Sequence, residues 1–211
     1  MTVYDSNCTL CPRLAEFLAA GKREHPDYFC RPVPPFGDPN ARLLLVGLAP
    51  GFHGANATGR PFTGDYAGIL LYQTLYEFGL STAPVSVAVD DGLRLIDCRI
   101  SNSVKCVPPG NKPLPAEIAA CNRYLAAELA GVADGTVLLA LGAIAHGAVL
   151  RALGLRQSAC AFAHGAEHAL PRNLRMIDSY HCSRYNTNTR RLTTEMFRAV
   201  IGRAATLARE P

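Results

Sequence analysis

Apolar positions along this chain fall into two rhythms. Four short continuous runs are bounded by turn residues: RLLLVGL at 42–48, a weaker run from Arg99 to Lys105, TVLLALG at 136–142 and LRMIDSY at 174–180. Runs of that length without polar alternation predict strands buried on both faces. Between them the apolar spacing widens to three and four. That spacing predicts helices over Arg13–Gly21, over 66–78, from Pro115 to Gly131 (apolar Ile118, Cys121, Leu125, Leu129), on to Leu153 and Gly154 after the third strand, and from Thr193 through Met196, Val200, Ile201, Ala204 and Leu207. Strands alternating with helices predict a parallel sheet covered on both faces, with the ligand outside the strands' carboxyl ends.

The loops after the first, second and fourth strands are the polar ones: APGFHGANATGRPFTGDYAG, CVPPGNKPLP and HCSRYNTNTRR. Long loops at strand ends carry function more often than plain connection, so one site built from three loops is expected. Within the first, GANATGR has the glycine spacing of a phosphate loop. It lacks the Lys and the hydroxyl that must follow, and Pro61 stands where the hydroxyl belongs, which argues against a nucleotide triphosphatase. His181, just past the fourth strand, is placed to stabilise developing negative charge. Asp65 can orient water or stabilise a cation, or simply cap the helix starting at Tyr66. Phe62 can stack on a planar ligand or pack the loop. His25 and His146 read as capping or core histidines. His164 and His168 have the i, i+4 spacing of a zinc pair, but the segment before them is not helix-like, which argues against a metal there.

Composition narrows the class. The 211 residues are 49% hydrophobic and 18% charged, which suits a single globular domain over 1–211 with a sizeable core. No apolar run approaches about 18 residues, so no membrane helix is expected. The start, MTVYDSNCTL, has neither a basic stretch nor an apolar core, so no secretory signal is read and a cytoplasmic location is expected. The net charge of +4 conceals a segment from Arg172 to Arg209 that carries +6. Arg outnumbers Lys 18 to 3, which suits forked phosphate contacts, although a GC-rich coding sequence produces the same excess. Eight cysteines in a chain read as unexported point to metal binding before disulfides. Cys8-x2-Cys11 and Cys106-x14-Cys121 offer four thiolates, which fit zinc or an iron–sulfur cluster, and spacing alone does not choose. Cys30, Cys98, Cys160 and Cys182 read as buried thiols.

Three blocks, GLAPGFHGANATGRPFTGDYAG, SNSVKCVPPGNKPLPAEIAAC and SYHCSRYNTNTRRLT, resemble the signature blocks of the type b, or family 5, uracil-DNA glycosylases. The resemblance runs from Cys8 to the last helix. It implies a three-layer α/β/α domain with a central four-stranded parallel sheet, and an N-terminal segment tied down by a [4Fe–4S] cluster on Cys8, Cys11, Cys106 and Cys121, displacing zinc. The implied activity is hydrolysis of the N-glycosidic bond of uracil in DNA, extending to hypoxanthine and other deaminated bases, by a monomer that flips the base. His181 is implied to hydrogen-bond the anionic base oxygen, the backbone of Ala49, Gly51 and His53 to line the pocket, and Phe62 to stack on the base. Asn102 is implied to read the base edge, with Asn111 a second candidate. Arg184, Tyr185, Asn186 and Arg190 are implied to meet DNA, with Arg184 or Tyr185 as the wedge. Two departures stand out: GLAPG carries no carboxylate at the first strand's end, leaving Asp65 as the nearby acid, and HCS replaces the commoner HPS. A non-catalytic, metal-stapled DNA-binding or damage-sensing module is the alternative that the same basic segment and cysteines support.

Overall fold

The computed structural model describes residues 4–210. The elements run α1 (Pro12–Glu24), β1 (Phe36–Gly37), β2 (Leu43–Gly47), α2 (Ala55–Thr58), α3 (Tyr66–Glu77), β3 (Cys98–Asn102), α4 (Pro115–Gly131), β4 (Val137–Leu141), α5 (Ala143–Ala152), β5 (Glu167–Ala169), β6 (Arg175–Ser179), α6 (Arg184–Asn188) and α7 (Thr194–Arg209). The sheet order is β1-β3-β2-β4-β6-β5. The central four strands are parallel, with Leu45 opposite Ile100 on one side and Leu139 on the other, and Ile177 beyond Leu139.

The expected four-stranded parallel sheet is therefore corrected to a six-stranded mixed one. The four apolar runs form its parallel centre, and β1 and β5 add antiparallel edges on β3 and β6. Two- and three-residue strands are too short to carry a hydrophobic period. Phe36–Gly37 lies inside the Pro-rich connector, and Glu167–Ala169 is half-exposed, so neither shows the continuous apolar signature of the centre. Short antiparallel edges also blunt the open rows of backbone hydrogen-bonding groups at both sides of the sheet.

Alternation along β2 divides the core. Leu43 and Leu45 join Leu71 and Leu75 of α3 and Phe197 and Ile201 of α7, while Leu44 and Val46 join Leu125 and Leu129 of α4 and Ala145 and Val149 of α5. This is the three-layer α/β/α arrangement. A third cluster packs Leu14 and Leu18 of α1 against Val104, Val107 and Cys121, and Arg13 pins the same junction by an ion pair to Glu117 at 2.7 Å. The loops that leave β2, β3 and β6 consequently emerge side by side at the carboxyl edge of the sheet.

Candidate active site

These three loops enclose a pocket of about 370 Å³. Ala49, Gly51, Phe62 and Asp65 come from the first loop, Asn102 and Asn111 from the second, and His181, Ser183 and Arg184 from the third. Asn102 ends β3, is 3% exposed, and has a buried Oδ1 with no hydrogen-bond partner. Such an atom carries a desolvation penalty until a donor reaches it. Gly47, at the end of β2, makes its position possible: a Cβ there would stand 2.4 Å from Asn102 Oδ1 and 2.8 Å from the Phe62 ring. Beneath, Lys105 Nζ donates to the Asn102 carbonyl at 3.0 Å and to Ser101 Oγ, and pairs with Glu128 Oε1 at 2.7 Å, with both side chains essentially excluded from solvent.

Phe62 is held in a left-handed backbone conformation, φ 57°, which is unusual for a bulky side chain. The surroundings impose it. Tyr72 Oη donates to the Pro61 carbonyl at 2.8 Å, Thr58 Oγ1 donates to the Thr63 carbonyl at 3.2 Å, and α3 approaches so closely that a Cβ on Gly68 would lie 1.7 Å from the Phe62 carbonyl oxygen. The Phe62 ring lies 25° from parallel with the His181 ring, at a centroid distance of 5.9 Å.

Asp65 occupies the N-cap position of α3 but its side chain caps nothing there. The carboxylate turns back across the first loop, where Oδ2 accepts from Ala55 N–H at 3.1 Å and the Gly51 N–H also donates to it. Gly51 and Gly54 leave the necessary space, since a Cβ on either would stand about 2 Å from Oδ1. Burial raises this carboxyl above its ordinary value, opposed by the two N–H donors. His181 is shifted in the other sense for a base: burial pushes it down to about 4, so the imidazole is neutral at physiological pH. Its carbonyl accepts from Asn186 Nδ2 at 2.8 Å, and Ser183 caps α6 behind it.

Known proteins resemble this chain over most of its length. Residues 34–204 match the model of the Uracil DNA glycosylase superfamily. A type-5 uracil-DNA glycosylase of Thermus thermophilus is 50% identical over 206 residues, covering 95% of this chain and 94% of that protein. One from Pyrobaculum aerophilum is 44% identical over 203 residues, 94% and 88% of the two chains. The chain belongs to the type-5 uracil-DNA glycosylase family. A type-4 uracil-DNA glycosylase of Thermotoga maritima is 39% identical over 110 residues, about half of each chain, so the type-5 likeness is the more extensive.

Within this family member, the expected site residues fall into three groups. Ala49, Gly51, Phe62, Asp65, Asn102, Asn111, His181 and Arg184 border the pocket. Tyr185, 72% exposed, and Arg190 lie outside it, and Asn186 is engaged with the His181 backbone. His53 is elsewhere: it is exposed, its Nδ1 lies 2.9 Å from Tyr28 Oη, and it packs with His25 and Phe52. Two contributors escaped sequence reasoning. Lys105 and Glu128, 23 positions apart, leave no local pattern that announces a buried pair under the pocket floor.

The expected [4Fe–4S] cluster, and zinc as its alternative, are corrected. Cys8, Cys11, Cys106 and Cys121 do border one small pocket, between α1 and the start of α4, but it is only about 10 Å³, room for roughly one water-sized body. Burial raises the thiols of Cys11 and Cys106 and pushes that of Cys121 up to about 11. Among the described residues, the side chains whose ligand atoms all lie within 4.8 Å of one another are His146, His168 and Asp178, a set without cysteine. Cys106 and Cys121 are buried in the third core cluster, with Cys11 packed against it and Cys8 partly exposed.

Proposed function

We propose that this chain is a base-excision repair enzyme that hydrolyses the N-glycosidic bond of uracil in DNA, with Asn102, His181, Phe62 and Asp65 as its working side chains. The observation that carries the assignment of roles is the partnerless Oδ1 of Asn102 in the same pocket as a neutral, half-buried His181. A glycosidic carbon cannot be reached inside a duplex, so the nucleotide turns out of the stack into the pocket. Uracil then presents N3–H to Asn102 Oδ1 and O4 to the amide Nδ2. Cytosine presents the opposite pair, an acceptor at N3 and a donor at N4, and is rejected. Hypoxanthine offers the same lactam pair, N1–H and O6, which extends the substrate class to deaminated purines. Phe62 covers the face of the base.

As the C1′–N1 bond breaks, its electron pair passes to uracil and charge accumulates on O2. A neutral His181 stabilises that charge by donating an N–H without giving the proton up. The sugar becomes oxocarbenium-like. The Asp65 carboxylate opposes that positive charge and orients water, which adds to C1′; the proton it loses passes through solvent to the uracil anion, leaving free uracil and an abasic deoxyribose. No lysine borders the pocket among the described residues, in keeping with a monofunctional hydrolase rather than an amine-mediated lyase. Phosphates of the bent strand run along the basic C-terminal stretch, met by Arg184 and Arg190, with Tyr185 as the exposed wedge. The enzyme acts as a cytoplasmic monomer. Among the described residues no helix is long and apolar enough to cross a membrane. Incubation with a uracil-containing duplex, with free uracil quantified and alkali used to open abasic sites, is expected to give one break per uracil. Intact strands at stoichiometric enzyme overturn the proposal.

A further inference from the structure

Asp178 on β6 has no exposed surface, and its ion-pair partners are two histidines. His146 Nδ1, from α5, lies 2.8 Å from Oδ1, and His168 Nε2, from β5, lies 2.9 Å from Oδ2. The far side of the His146 ring presents Nε2 to the backbone carbonyl of Cys160 at 3.1 Å. A carboxylate and a carbonyl only accept, whereas a neutral imidazole has a single N–H. Both nitrogens of His146 therefore face acceptors, and one of the two contacts is satisfied only by a further hydrogen shared with Asp178 or by a metal ion at Nδ1.

We infer that His146, His168 and Asp178 form a binding site for a divalent transition-metal ion of the zinc class, separate from the glycosylase pocket. Two imidazoles and a carboxylate are a ligand set that zinc favours. With the ion on Nδ1, His146 keeps its Nε2–H for the Cys160 carbonyl, which is how ligating histidines are commonly oriented from behind. Metal–ligand bonds of about 2.0–2.2 Å hold neighbouring ligand atoms roughly 3.0–3.5 Å apart; the nitrogens lie 2.8 and 2.9 Å from the two carboxylate oxygens, and the ligand atoms of all three side chains lie within 4.8 Å of one another. With the ion on Nε2, His168 carries its single ring hydrogen on Nδ1, so each histidine binds as a neutral imidazole and Asp178 as a carboxylate. His168, the half-buried member, is the side from which the ion enters. The ion joins α5, β5 and β6 three residues before His181, at the strand end from which the pocket histidine emerges.

The test uses the full chain stripped with a chelator and titrated with Co²⁺, then with Zn²⁺. Cobalt on nitrogen and oxygen ligands gives visible d–d bands without thiolate-to-cobalt charge transfer, which separates this site from any binding at cysteines. One equivalent of such cobalt is expected in the wild type, displaced by zinc, with affinity reduced more than tenfold in His168→Gln, whose amide still donates to Asp178. Zinc is also expected to move the imidazole ¹⁵N resonances of His146 and His168 in the unsubstituted protein, a measurement that needs no variant to fold. Absent d–d bands, equal cobalt uptake by His168→Gln, or unmoved imidazole resonances overturn the inference.

Discussion

Replacing Asn102 by Ala isolates the contact that is proposed to recognise the base. In the free protein the amide oxygen is buried and unpaired, a state that costs about 1–3 kcal/mol and is relieved only when a donor such as uracil N3–H arrives. The substitution removes that gain and leaves N3–H and O4 of the flipped base without partners in a desolvated pocket. Taking both effects together, about 3 kcal/mol of transition-state stabilisation is lost, roughly a 10²-fold fall in kcat/KM. The free enzyme should scarcely melt earlier, because the lost packing is offset by removal of an unsatisfied polar atom. Single-turnover release of uracil, measured beside thermal melting and duplex binding, separates these terms. A fall in kcat/KM of less than about threefold, with folding and DNA binding intact, refutes base reading by Asn102.

Further outcomes follow from the same geometry. The raised Asp65 carboxyl must be ionised to oppose the sugar cation, so activity should fall on the acid side at a pH above the ordinary carboxylate value of about 3.8, and Asp65→Asn should lower activity and flatten that limb. His181, pushed down to about 4, is already neutral across the neutral range and should add no limb there; a pH–rate profile of both proteins checks this. Gly68→Ala drives a Cβ into the Phe62 carbonyl and should cost about 1–3 kcal/mol in urea unfolding while slowing uracil release. Lys105→Met leaves Glu128 as an uncompensated buried charge, about 3–5 kcal/mol destabilising, and adding Glu128→Leu should recover most of it; failure of the double variant to recover contradicts the ion-pair reading.

What the chain disclosed in advance depended on the physical length of each signal. RLLLVGL and TVLLALG are buried on both faces, and uninterrupted apolar runs of that kind declare central parallel strands. Phe36–Gly37 and Glu167–Ala169 gain their strand character from a neighbour's backbone, so no side-chain pattern marks them. The three polar loops were legible as one site because strand ends in a parallel sheet share an edge. The environment of each side chain was not. Asp65 stands at a cap position and points elsewhere, His53 sits in the right loop and faces an aromatic group outside the pocket, and Lys105 disappears beneath Asn102. The family resemblance implied a cluster on four cysteines, yet the converging ligand atoms belong to His146, read as a capping or core residue, to His168, discounted as a metal ligand, and to Asp178, which no pattern in the chain singles out.

The direct test of the central claim is single-turnover release of uracil from DNA by His181→Ala, with binding to the same duplex measured in parallel. If a neutral His181 carries the charge of the departing base, the rate should fall by roughly 10²–10³-fold while affinity for the duplex stays within about twofold. Release at the wild-type rate, or a loss that appears entirely in DNA binding, contradicts it.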